Sequence, residues 1–334
     1  MLTIEQTERT GDPTQETLFS GRMIEPLELP LSATYYPLGF PAEVRTNSRE
    51  VLEEFAALWG MFRKQRETEP IRCDVQLIED AAETCPPAPE YRLMLPLVTS
   101  IADANNYCIA DLDRAQAKIA VSRAALRCQS YVRHFLFGVP ACCIATNHAT
   151  PVHAGCVSLN CRGVLLCGDS GAGKSTLAYA CARAGFTYIG DDGAYILDGG
   201  ARRVVTGNCQ QVRFRPAARE LFPELSACAI APRAVGKPSI ELPTAPMEHL
   251  TCAQTARVDF IVFLNRSAAG SPELVPFSKE WARLSMRRVL YGTKESLARQ
   301  YEAIERLLSA EVLEMRYTSL DWAVDRLRSL TTGL

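Results

Sequence analysis

Val164-Leu165-Leu166-Cys167 runs directly into Gly168-Asp169-Ser170-Gly171-Ala172-Gly173-Lys174-Ser175, and this junction decides how the rest of the chain is read. The octet satisfies G-x-x-x-x-G-K-[ST] in full, after an apolar strand and before a helical pattern over Lys174 to Ala184 that Gly185 stops. Small residues let consecutive N–H groups turn inward around a phosphate, and the helix N-terminus adds a favourable dipole. Lys174 is long enough to reach β- and γ-phosphates, and the Ser175 hydroxyl is a Mg²⁺ ligand by type. A glycine-rich turn without a ligand would need neither Lys nor Ser at its end. Residues 168–175, with Thr176 next in line, are therefore the predicted nucleotide-binding set.

A phosphate loop of this kind works with an acidic residue at the end of a nearby strand. Phe186 to Gly190 reads as that strand, one helical crossover away, and it ends in Asp191 and Asp192. Two adjacent carboxylates at the phosphate edge can divide metal ligation, by Asp191 with Ser175, from general-base activation of a hydroxyl. The later strand FIVFLN ends in Asn265, and Asp259 is expected at its start, so it suits that role poorly. Upstream, Cys156 to Asn160 and Val164 to Cys167 read as a hairpin with its turn over Cys161-Arg162-Gly163, which pairs Cys156 with Cys167. His153 then stands above the loop, within reach of phosphate or carboxylate. Of the downstream cations Arg213, Arg215, Arg219 and Lys237, the favoured charge-neutralising pair is Arg213 and Lys237. His148, His153, Cys156 and Cys161 have no common zinc spacing.

Working further outward, AYILD and RRVVT flank Gly199-Gly200 as a hairpin, Phe260 to Leu264 reads as a buried strand, and helical patterns cover 278–290, 294–309 and 320–330 with a strand near Leu313 to Tyr317. The first twenty residues read as a loose terminus. Asn47 and Glu50 have capping-box spacing before a helix carrying Val51, Phe55, Leu58, Trp59 and Phe62. Ile71 to Leu77 alternates like a strand, Pro86, Pro87 and Pro89 mark a loop, and a helix is expected over 123–137. The division predicted is a smaller α+β domain over 1–145, which recognises the acceptor or holds a homo-oligomer together, and an α/β catalytic domain over 146–334.

The 334 residues are 47% hydrophobic and 22% charged, the composition of a folded chain long enough for two cores. A formal net charge of −2 gives no overall pull toward nucleic acid or an anionic membrane. The first hundred residues are acidic, with 9 basic and 17 acidic side chains, suited to a basic or extended partner. Thirteen cysteines in irregular spacing without a C-x-x-C pair read as reduced, mostly buried thiols. With no basic-then-apolar leader and no long apolar run, the expected location is the cytoplasm.

The run HAGCVSLNCRGVLLCGDSGAGKSTLAYACARAGFTYIGDD, residues 153–192, resembles the catalytic core of HPr kinase/phosphorylase and the HPr-kinase-related proteins, in which a His-small pair, two strands, GDSGxGKS, a helix and an Asp-Asp pair occur in this order. A looser similarity continues to EMRYTSLDWAVDRLRSL. The resemblance implies a P-loop kinase domain of the HPr kinase type, ATP and Mg²⁺ at Gly168 to Ser175, and His153, Asp191 and Asp192 at the reacting phosphate with one carboxylate acting as base toward a serine hydroxyl. Thr176 stands where HPr kinases usually have Glu, TGNCQQVRFRPAAREL replaces their Gly-rich segment after the Asp pair, and residues 1–145 do not resemble their N-terminal domain. These departures point to a peptide or protein serine other than HPr, as in relatives that phosphorylate natural-product precursor peptides; the alternatives are a small-molecule alcohol as acceptor and a non-catalytic nucleotide-gated binding module.

Overall fold

The computed structural model describes residues 28–333 apart from 81–82, 199–202, 235, 245–246, 248 and 267–269. The expected loose terminus and the Gly199-Gly200 turn lie outside them. Two sheets organise a mixed α/β chain. The first contains β1 (Leu31–Tyr35), β2 (Ala42–Thr46), β3 (Ile71–Ile78), β4 (Glu90–Met94), β5 (Leu97–Asp103), β6 (Asn106–Asp111) and β7 (Gln116–Ser122), in the order β1-β2-β3-β7-β6-β5-β4. Its interior steps β2-β3 and β3-β7 are parallel. The helix α1 (Arg49–Trp59) makes the first crossover and buries Val51, Phe55 and Trp59, while β3 buries its alternate residues Ile71, Cys73, Val75 and Leu77.

Asn47 does not form the expected capping box. Ser48 takes the N-cap position with no side-chain cap bond, because the Asn47 amide is committed to β3: Nδ2 donates to Leu77 O at 3.0 Å and Leu77 N donates to Oδ1 at 2.8 Å. That long-range pairing outcompetes the local one.

The helix expected over 123–137 is broken. It divides into α2 (Arg123–Arg127), α3 (Gln129–Val132), a π-turn (Arg133–Phe137) and α4 (Gly138–Asn147), so residue 145 lies within a helix. The break falls at Cys128, which takes extended φ/ψ and is disulfide-bonded to Cys85. The proline loop returns Cys85 to the helix start, where Tyr131 Oη donates to Pro86 O at 2.7 Å. The reading of every cysteine as reduced is thereby corrected, since composition cannot show that a loop brings two thiols together. The other eleven cysteines are free, with Cys156, Cys167 and Cys181 among the buried ones.

The second sheet begins with β8 (Ala149–Val152), β9 (Ala154–Leu159) and β10 (Arg162–Cys167), and α5 (Lys174–Arg183) leads from β10 to β11 (Thr187–Gly190). The hairpin β12 (Ala194–Leu197) and β13 (Val204–Gly207) follows as expected. Strands β14 (Gln211–Phe214) and β15 (Ile240–Pro243) form a separate ribbon. The chain closes with β16 (Thr255–Asn265), β17 (Glu273–Pro276), α6 (Lys279–Arg287), α7 (Lys294–Leu307), β18 (Glu311–Arg316) and α8 (Leu320–Thr332). The order is β11-β9-β10-β16-β13-β12-β8, with β18 joined to β16 and β17 to β18.

Two details differ from the sequence reading. The β9-β10 turn is Asn160-Cys161, both with positive φ as a two-residue type I′ turn requires, so Cys156 faces Leu165 and Cys167 faces Ala154. The register expected from a turn at Arg162 is thus shifted by two. Asp259 lies inside β16, because that strand extends back to Thr255.

Apolar residues from both sheets share a core: Phe40, Val44 and Phe55 belong to the same buried cluster as Val157, Leu166 and Leu177. Polar contacts reinforce the junction, where Gln300 Nε2 donates to Ala145 O at 3.1 Å and Arg63 N donates to Gln254 Oε1 at 3.2 Å. Among the described residues no helix is long and apolar enough to cross a membrane.

Candidate phosphate-transfer site

The site forms where β10 and β11 deliver their C-terminal ends. Strand β9 lies between them, antiparallel to both, so β10 and β11 run the same way without being neighbours and end at one sheet edge. Loop 168–173 leaves β10 and becomes α5 at Lys174. Gly173 has φ +100°, and a Cβ there would lie 3.0 Å from Arg266 Cδ and 3.1 Å from Tyr317 Oη, so the close approach of two later segments requires glycine. Lys174 Nζ donates to Gly168 O at 2.8 Å and Asp169 O at 3.2 Å. Burial lowers its pKa, opposed chiefly by the Asp192 carboxylate. Ser170, Gly171, Ser175 and Thr176 line the cleft, while Asp169 turns toward a separate small cavity beside Met286.

Asp191 is buried, and its Oδ2 accepts from Arg213 N at 2.9 Å. Desolvation raises its pKa to about 6 against the opposing pull of that N–H, with a further hydrogen bond from Ser175. Strand β9 can lie this close because of Gly155, where a Cβ would sit 3.1 Å from Asp191 O. The Ser175 hydroxyl and the Asp191 carboxylate thus form a hard, all-oxygen donor pair that fits Mg²⁺.

Asp192 is half-exposed at the cleft mouth. His153 Nδ1 lies 3.1 Å from its main-chain oxygen and 3.6 Å from Oδ1, and Arg213 Nη1 lies 3.7 Å from Oδ2. The cleft has a volume of about 240 Å³. Its chemistry is asymmetric: cations from Lys174, Arg213, Arg215, Arg233 and Arg266 surround it, with Asp192 on one wall and Asp191, the residue before it, buried.

The structure therefore brings Lys174, Ser175, Asp191, Asp192, His153 and Arg213 together. Lys237 does not line the cleft, and Arg219 is occupied with the carbonyl of Leu225 at 3.2 Å and that of Cys228. His148 stacks on Phe40, ring centroids 5.4 Å apart, away from the loop. Sequence reading missed Arg233 and Arg266. Arg266 had a usable signal, following the end of a strand parallel to β10 and hence sharing its edge, whereas Arg233 lies in an irregular segment without periodicity.

No family model matches the chain, and no curated protein matches it in sequence. Among solved structures, the HPr(Ser) kinase/phosphatase from Coxiella burnetii is similar, with a TM-score of 0.32 at 11% identity over 55% of this chain and 93% of that one. That overlap transfers no residue roles.

Proposed function

We propose that this chain is a kinase that transfers the γ-phosphoryl group of ATP to a hydroxyl, with a serine of a peptide or protein as acceptor. Residues 146–334 perform the chemistry and residues 1–145 recognise the acceptor. The observation that carries this reading is the pair Asp191 and Asp192, one buried beside Ser175 and the other open to the cleft beside His153, both facing the loop that ends in Lys174. A nucleotide-binding switch would have no use for such a split.

In this reading the backbone amides of 168–175 and Lys174 hold the triphosphate. Ser175 and Asp191 would hold Mg²⁺, which would screen the charge of the phosphates. Asp192 accepts the proton of the attacking hydroxyl as the new P–O bond forms and the bond to the bridging oxygen of ADP breaks. His153 donates its Nδ1–H to the Asp192 carbonyl and keeps the carboxylate turned to the cleft. Arg213 neutralises charge on the transferring group.

The test supplies labelled ATP with serine peptides and a panel of hydroxylated metabolites. Phosphoserine formed by the wild type and lost in Asp192→Asn supports the reading. Labelling confined to a metabolite assigns the acceptor to the small alcohols, and ATP binding without any transfer assigns the chain to non-catalytic nucleotide switches.

A further inference from the structure

A second cavity, of about 330 Å³, lies beside the cleft where the two halves of the chain meet. Leu58 and Tyr91 come from the first half, Arg133 and His134 from the π-turn, and Gln211 and Glu241 from the β14-β15 ribbon. Arg213 and Arg233 line both this cavity and the phosphate cleft, so the two spaces share these two side chains in their walls. Arg213 spans the partition, with Nη1 3.7 Å from Asp192 Oδ2 on one side and Nε 3.5 Å from Glu241 Oε1 on the other.

The charge of this wall is unbalanced. Among the described residues Glu241 is the one carboxylate lining the second cavity, and it is shared between Arg213 and Arg133. Arg233 has no ion pair among the described residues. Burial, with repulsion from Arg213 next, lowers the pKa of both Arg133 and Arg233, opposed by Glu54 at Arg133 and by Asp192 at Arg233, the expected cost of placing like charges together in a half-desolvated space. An entering anion relieves that repulsion and gains bidentate geometry that water does not supply.

We infer that this cavity anchors the acceptor by a carboxylate, bound between Arg233 and Arg213, so that the acceptor hydroxyl reaches Asp192 past the Arg213 partition. The inference rests on the kinase reading and adds the acceptor's chemical class: a hydroxyl compound with a carboxylate close by. The volume accommodates one or two residues or a small hydroxy acid, not a folded surface. The sign is opposite to that suggested by the acidic first hundred residues, because the charge facing the site from that side of the junction is Arg133.

The test is calorimetry on the full chain with three probes: L-malate, the peptide acetyl-Gly-Ser-Glu-Gly-amide, and its neutral isostere with Gln for Glu. At least one carboxylate probe is expected to bind the wild type, about tenfold or more tighter than the Gln peptide, and whichever binds better identifies a free acid or a peptide as the source. Arg233→Gln should weaken it about 10- to 100-fold, the scale of a charge-assisted hydrogen bond. Glu241→Gln should strengthen it several-fold, a gain that misfolding cannot mimic and that locates the probe in the second cavity, since Glu241 does not line the first. Absence of carboxylate binding, equal affinity for the Glu and Gln peptides, or indifference to both substitutions overturns the inference. Mg²⁺·ATP binding through Lys174, measured in parallel, separates the two ideas: if it holds while the carboxylates fail, the anchor is wrong and the kinase reading stands. If carboxylates bind as expected and ATP does not, the anchor stands and the kinase reading falls.

Discussion

His153 Nδ1 and the main-chain oxygen of Asp192 are 3.1 Å apart across a separation of 39 residues, which ties the start of β9 to the turn after β11. A carbonyl accepts only, so Nδ1 carries the proton and the ring is held in one tautomer. Asp192→Asn should lower kcat about 100-fold or more while Mg²⁺·ATP affinity changes little, and His153→Ala should lower it about tenfold, because it positions rather than accepts. Unchanged turnover in Asp192→Asn would remove the carboxylate from the reaction.

Lys174 is buried in the loop and donates to its carbonyls. Lys174→Ala should weaken ATP about 10- to 100-fold, since the charge on the β- and γ-phosphates loses its nearest counter-charge. Equal affinities by calorimetry would reject loop 168–175 as the nucleotide site.

Gly155 offers a test of positioning without touching a polar group. In Gly155→Ala the new methyl would meet the Asp191 carbonyl at 3.1 Å and force that strand end outward by a few tenths of an ångström. The expected result is a loss of kcat of about tenfold with a circular dichroism spectrum like the wild type's. Full activity would show that the β9-β11 spacing is not critical.

The Cys85–Cys128 bond closes a loop across 43 residues. Thiol titration in denaturant without reductant should count eleven groups rather than the thirteen of the sequence. Replacing both cysteines by Ser should lower stability by roughly 3 kcal/mol, read as a fall in Tm. A count of thirteen in protein purified without reductant would contradict the pairing.

Burial beside Ser100 and Tyr91 holds the His134 pKa at about 4. Between that value and the ordinary one near 6.5, the unfolded chain binds a proton that the folded chain does not. Stability therefore rises with pH across this window and is lost as pH falls toward 4. His134→Gln should flatten the urea-midpoint profile over that range, and an identical profile would exclude the histidine.

Much of the second sheet was legible because its signals are local. An apolar strand, glycines at fixed offsets, a helix stop at Gly185 and an Asp pair all lie within forty residues. The first sheet was less so. β7 exposes Gln116 and Lys118 but buries every residue from Ile119 to Ser122, so its alternation is incomplete, and its parallel pairing with β3 across the β4-β6 meander has no local mark. The β9-β10 register slipped because Asn160-Cys161, not the glycine nearby, accepts positive φ. Arg233 was invisible for a related reason: its importance comes from Arg133 and Arg213, which reach it through space.

The grip of α7 on the junction also sets a timetable for synthesis. Gln300 and Arg299 hold the carbonyls of Ala145 and Thr146, partners 155 and 153 residues earlier in the chain. At about 5–20 residues per second, a ribosome adds the first of these side chains on the order of ten seconds after the last of the carbonyls. The first sheet has its strands in hand well before then, and the shared apolar core and the Arg63–Gln254 contact can form first, but this clasp on the seam closes only when nearly the whole polypeptide has emerged. A message cut short before residue 294 would accordingly yield a product that lacks this clasp and leaves the carbonyls of Ala145 and Thr146 without those partners.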